Sequence, residues 1–97
     1  MFGKMKELME MKKQADKIKK ELDAVDVEVQ EVRGITIAIN GSQRFRSVSI
    51  DDSLLTVSNK AKLEKDLLRS LNAAIQKSQH VAAKKMQAVM PGLGGGL

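Results

Sequence analysis

The chain has 97 residues, 42% of them apolar, with only two aromatics (Phe2 and Phe45) and no cysteine. That length makes one domain rather than two, and the missing cysteines exclude a disulfide framework, a thiolate metal site and a cysteine nucleophile. The formal net charge of +5 is unevenly placed: residues 1–24 carry seven lysines against five acids, residues 25–59 three arginines against five acids, and residues 60–97 seven basic residues against two acids. No acidic residue follows Asp66. Lysines that merely solubilise exposed helices are one reading of this; segregation of the charge by element points to the other, an anionic partner. No stretch approaches the ~20 apolar residues of a membrane span. MFGKMKELMEMKK at the start has no unbroken apolar run of signal-peptide length, so a cytoplasmic location with no membrane partner is expected. A chain of this size buries only about 60–70% of its unfolded surface, and an almost purely aliphatic core is thin on that account, so a homodimer is expected.

The first predicted element is a helix over Phe2–Ala24. Leu8, Met11, Ala15, Ile18, Leu22 and Val25 recur at alternating spacings of three and four, the seam of two packed helices. At 100° per residue, Lys6, Lys13, Lys17 and Lys20 fall within about 60° of one another, opposite that seam. Lys6–Glu10 and Lys17–Glu21 have the i,i+4 spacing of ion pairs, so the row reads either as a solvated face or as an anion-binding one.

Three strands follow. Val25, Val27 and Val29 alternate with polar residues, Arg33-Gly34 supplies a turn, and Ile35, Ile37 and Ile39 continue the alternation. Asn40-Gly41 has the composition of a two-residue type I′ turn. Such a turn pairs Ile39 with Ser42, Ile37 with Arg44 and Ile35 with Arg46, which sets two arginines on the isoleucine face. Phe45, Val48 and Ile50, spaced three then two, share that face only if one extra residue intervenes, so a β-bulge is expected near Arg46-Ser47. Asp51-Asp52-Ser53 ends the strand as a turn, and Ser58 or Asn59 can cap the next helix.

The last element is a helix over Lys60–Val89, with an apolar stripe of Leu63, Leu67, Leu68, Leu71, Ala74, Ile75, Val81, Ala82, Met86 and Val89. Ser78 and Lys85 interrupt it, which suits a distal end that leaves the core. The opposite face carries Lys62, Lys65, Arg69, Gln76, His80 and Gln87, with Lys77 and Lys84 at its margin. Pro91-Gly92 stops the helix, leaving residues 91–97 as a flexible glycine-rich tail behind one domain of residues 1–90. At ~1.5 Å per residue the two helices span roughly 34 and 45 Å. Both exceed what a small sheet covers, so some helix projects or finds a partner chain.

Nothing here reads as an enzyme. His80 is the only histidine, Gly92–Gly96 has no following helix to make a phosphate loop, and Asp51 and Asp52 would point to opposite faces of a strand. No cofactor, metal site or small-molecule substrate is implied. For nucleic acid, the near-absence of aromatics argues against single-strand binding by stacking, and no recognition-helix or zinc motif occurs. Phosphate contacts to a double-stranded nucleic acid, with little sequence information, are the expectation. The candidate residues are Lys6, Lys13, Lys17 and Lys20 on the first helix, Arg69, Lys77, Lys84 and Lys85 on the second, and Arg44 and Arg46 in the hairpin.

The order helix, three strands, helix carries particular residues as well. Met1-Phe2-Gly3-Lys4, Lys13-Gln14-Ala15, Ile37-Ala38-Ile39-Asn40-Gly41, Val48-Ser49-Ile50-Asp51 with Ser53-Leu54-Leu55, and Leu63-Glu64 with Asn72 and Ala74 together resemble the YbaB/EbfC family of bacterial nucleoid-associated proteins. The resemblance covers nearly everything up to about residue 90. It implies an α+β homodimer whose helices form arms that bind duplex DNA, in nucleoid organisation or gene regulation. Two departures touch loop geometry: only Gly34 remains of a glycine-rich link between the first strands, and Asp52 stands where proline is common. The rival reading is a prefoldin-like chaperone or assembly scaffold using coiled-coil-like helices. Binding of anionic lipid surfaces is disfavoured by the lack of interfacial aromatics.

Overall fold

Alternating valines and isoleucines build the sheet, and the two helices flank it in sequence. The computed structural model describes residues 2–89; the Pro91-Gly92 helix stop and the flexible tail expected from the sequence lie outside that range, as does the side chain of Val89. The elements are α1 (Phe2–Ala24), β1 (Asp26–Val32), β2 (Ile35–Asn40), β3 (Phe45–Ile50), two 3-10 turns (Asp52–Leu54 and Val57–Asn59) and α2 (Lys60–Val89). This is an α+β fold with a three-stranded antiparallel sheet in the order β1-β2-β3.

The central strand presents Ile35, Ile37 and Ile39, all fully buried, to α2. Both outer strands carry one residue more than β2 where they pair with it. In β3, Ala38 lies opposite Ser47 and Ile39 opposite Phe45, so Arg46 is the unpaired residue and the bulge falls where the apolar spacing required it. Phe45, Val48 and Ile50 therefore oppose Ile39, Ile37 and Ile35 on the core face. In β1 the register slips between Val29 and Val32, which brings Val32 rather than Glu31 opposite Ile35. Each bulge resets the two-residue period so that an apolar side chain is not turned to solvent.

The β2–β3 connection departs from the type I′ expectation, and with it goes the pairing of Arg44 and Arg46 with the isoleucines. Neither Asn40 nor Gly41 has a positive φ; the left-handed residue is Gln43, at 59°. The Gln43 amide donates to the Asn40 carbonyl (3.3 Å) and the Asn40 amide to the Arg44 carbonyl (2.9 Å). This is a three-residue hairpin loop closed by a left-handed residue. Arg33-Gly34 does form the first turn, with Gly34 at φ 92°.

On α2, Ser70, Ala74, Ser78 and Ala82 recur every four residues and are all buried, a small-residue line along which the helix lies close to its neighbours. Ser78 thus does not weaken the stripe. It is fully buried because its hydroxyl donates to the Asn40 carbonyl at 2.6 Å. Ser70 back-bonds to the Asp66 carbonyl (2.7 Å), and among the described residues every buried side-chain N or O atom has a partner. Asn59 does not cap α2 with its side chain; its Nδ2 donates to the Leu54 carbonyl (2.9 Å), while Ser58 Oγ meets Thr56 Oγ1.

The helix α2 lies on β1 and β2. It leaves the β3 half of the same face open, so that Phe45 is 44% and Val48 47% exposed. Leu68 and Met86, expected in the buried stripe, are exposed too. Both fall on the flank of α2 opposite Arg69 and Lys77, which bond to β1. Residues 3–17 of α1 are exposed, the seam residues Leu8 and Met11 included, and Ile18 is the one buried side chain described on that helix. The molecule measures 67 × 24 × 17 Å with a radius of gyration of 18.6 Å, against ~13 Å for a compact chain of about 100 residues.

Candidate nucleic-acid interface

Ile18 fixes which side of α1 faces the fold, because it is the one described side chain buried there. From it, Lys6, Lys13, Lys17 and Lys20 lie about 100–160° around the helix axis at 100° per residue, and all four are exposed. The i,i+4 pairs suggested by the sequence do not close: among the described residues the salt bridges are Arg46–Asp26 and Arg69–Glu31. None of the four lysines of the row is in an ion pair with another described residue.

The remaining candidates divide by their neighbours. Arg46 Nε pairs with Asp26 at 3.0 Å and its Nη2 donates to the Asp23 carbonyl at 2.6 Å. Arg69 Nη2 meets Glu31 at 3.2 Å, and Lys77 Nζ donates to the Glu28 carbonyl at 3.0 Å. All three are thus held by β1 or its approach, a use that helix periodicity alone does not reveal. Arg44 is exposed on the hairpin loop. Lys84 is exposed and falls on the flank of α2 shared with Arg69 and Lys77, whereas half-buried Lys85 falls on the sheet-facing side, away from them. Of the candidates, the four lysines of α1, Lys84 on the distal part of α2 and Arg44 on the hairpin are exposed and in no ion pair among the described residues.

Sequence reasoning missed the contacts that orient α1. Helix C-terminal carbonyls lack intrahelical donors, and here the hairpin loop supplies them. The Gly41 amide donates to the carbonyls of Leu22 (2.9 Å) and Val25 (3.2 Å), and Asn40 Nδ2 to that of Asp23 (3.3 Å). Ser42 Oγ donates to the Asp23 carboxylate. A Cβ on Gly41 would stand 2.8 Å from the Leu22 carbonyl oxygen. Glycine is required there for close approach and not for its φ.

Among the described residues no three His, Cys, Asp or Glu side chains cluster as metal ligands, and no helix is long and apolar enough to cross a membrane.

The sequence profile of the YbaB/EbfC DNA-binding family matches residues 1–93. A nucleoid-associated protein of Flavobacterium johnsoniae is 34% identical over 90 residues, covering 92% of this chain and 83% of that protein. One from Rhodopseudomonas palustris is 33% identical over 94 residues (96% and 89%), and one from Chloroflexus aurantiacus 32% over 92 residues (94% and 92%). An uncharacterized protein from Helicobacter pylori has a crystal structure that superposes with a TM-score of 0.74 over 87% of this chain and 90% of its own, at 20% identity, a likeness of fold.

Proposed function

The chain belongs to the YbaB/EbfC DNA-binding family, and from that premise we propose that it is a nucleoid-associated protein that binds double-stranded DNA through basic helical arms of a homodimer. Binding is by phosphate neutralisation, with low or modest sequence specificity, and serves nucleoid organisation or gene regulation in the cytoplasm. The relatives' description as nucleoid-associated proteins supports that location. No catalytic step is assigned to any residue.

The observation that carries the reading is the exposed row of Lys6, Lys13, Lys17 and Lys20, in no ion pair among the described residues, on the side of α1 turned away from Ile18. Lys84 adds to it from α2. Arg44 is a further candidate; Arg46, Arg69 and Lys77 contribute only by exchanging a partner on the fold for a phosphate. The homodimer is supported by the half-open core face. Phe45 and Val48 lie uncovered on a strand with a free edge, Leu68 and Met86 are uncovered on α2, and a second copy both buries such side chains and pairs the edge.

Gel shifts with duplex DNA, single-stranded DNA and duplex RNA over a range of salt test the reading. Duplex DNA is expected to bind best. If a dimer neutralises about six phosphates, three per protomer, log K against log[salt] has a slope of about −5. A salt-independent association, or none, removes the reading; suppression of client aggregation in its place promotes the scaffold.

A further inference from the structure

Both basic helices take their bearings from one buried residue. The Asn40 carbonyl accepts from Ser78 Oγ of α2 at 2.6 Å, and Asn40 Nδ2 donates to the Asp23 carbonyl in the last turn of α1 at 3.3 Å. Asn40 Oδ1 accepts from the amides of Ser42 (3.0 Å) and Arg44 (2.9 Å), which locks the side chain in place. Around it, Gly41, Ser42 and Arg46 make the other bonds to the end of α1. Apolar burial along α1 adds little, since Ile18 is its one buried side chain described. Beyond the packing of Ile18, the direction of α1 is therefore set by polar contacts from the hairpin loop and the start of β3.

We propose that Asn40, with Gly41 and Ser42, is a positioning joint that sets the angle between α1 and α2 and thereby the spacing of the lysines that meet DNA, without touching DNA itself. This rests on the DNA-binding reading above. Lys6 lies 17 residues before Asp23, about 25 Å along the helix at 1.5 Å per residue. A ~10° swing at the joint moves Lys6 by about 4 Å, enough to break an ion pair, but moves Lys20 by under ~1 Å. The joint governs the far lysines and spares the near one.

Asn40→Asp is the selective cut, because it keeps an oxygen for the Ser42 and Arg44 amides while removing the donor to Asp23. The cysteine-free chain allows spin labels at Glu10→Cys on α1 and at the exposed Gln76→Cys on α2, diluted into unlabelled protein so that distances within one chain are read. The variant is expected to broaden that distance distribution in the absence of DNA. Losing one phosphate contact per protomer lowers the salt slope by about 2 and weakens duplex binding between about ten- and a hundredfold at 0.1 M salt. In that background Lys6→Ala should have no further effect while Lys20→Ala still weakens binding. If Asn40→Asp fails to fold, Ser42→Ala, which removes the hydroxyl tether to the Asp23 carboxylate and no cation, makes the same test. A broadened distance with unchanged affinity and slope overturns the proposal, as does weakened binding with an unchanged distance. Failure of the DNA reading itself is separately visible as a parent protein without salt-dependent duplex binding.

Discussion

Truncating Phe45 tests the proposed dimer with a magnitude that the fold supplies. The ring lies on the core face opposite Ile39, yet 44% of the residue is exposed in the single chain. A phenylalanine buries roughly 200 Å² when fully covered, so about 110 Å² is covered by its own chain and about 90 Å² is open. At about 25 cal/mol per Å², Phe45→Ala costs about 2 kcal/mol within the chain, allowing for the area that alanine retains. If a partner covers the rest, about 180 Å² per dimer is lost as well, or about 4 kcal/mol of association, a rise of roughly a thousandfold in the dimer dissociation constant. Urea unfolding at two protein concentrations separates these terms, since only a dimer has a concentration-dependent midpoint, and sedimentation reads the association directly. An unchanged sedimentation profile together with a loss confined to about 2 kcal/mol would refute the placement of Phe45 in a dimer interface.

The charge-reversed variant Lys13→Glu/Lys84→Glu should keep the parent's circular dichroism and association state and lose most duplex binding in a gel shift; tight binding at every salt concentration would remove both helices from the interface. Glu31→Gln frees Arg69 from an exposed ion pair, so it should lower stability by less than about 1 kcal/mol. In salt titrations it should steepen the slope by up to about 2 if the freed guanidinium reaches a phosphate. Gly34→Ala meets a φ of 92° and the Leu54 side chain at 2.9 Å, and should cost about 1–2 kcal/mol for the left-handed backbone, read as a lower urea midpoint at constant m-value.

The elements were legible wherever one residue type repeated at one period. Alternating valines and isoleucines mark β1 and β2, and the three-residue step from Phe45 to Val48 betrays the bulge, because a strand that keeps one core face cannot otherwise change parity. The same step from Val29 to Val32 marks the β1 bulge, but beside a turn it has the pattern of a strand that simply ends. Local preference failed at Asn40-Gly41. The dipeptide suits a type I′ turn, but the tertiary need for Gly41 to approach the Leu22 carbonyl selects a longer loop. Ser78 looked like a flaw in an apolar stripe because its partner, Asn40, is 38 residues away. The lysine face of α1 follows from helical period alone. The engagement of Arg46, Arg69 and Lys77 depends on strand–helix register, which no single-element pattern contains.

The division of the basic residues has an electrostatic consequence. Arg46, Arg69 and Lys77 have partners on β1 or next to it, and among the described residues no lysine of α1 is in an ion pair, so the acidic strand acts locally. Screening sets its range: the Debye length is about 8 Å at physiological ionic strength, whereas Lys6 stands about 25 Å along α1 from Asp23. Across that distance the carboxylates of Asp26, Glu28 and Glu31 neither neutralise the far lysines nor repel a phosphate held there. Closer in, the same carboxylates oppose a polyanion laid on the sheet. In the proposed complex the duplex is therefore drawn toward the distal parts of the helices and kept off β1, and the angle held at Asn40 decides how many phosphates the helices reach together.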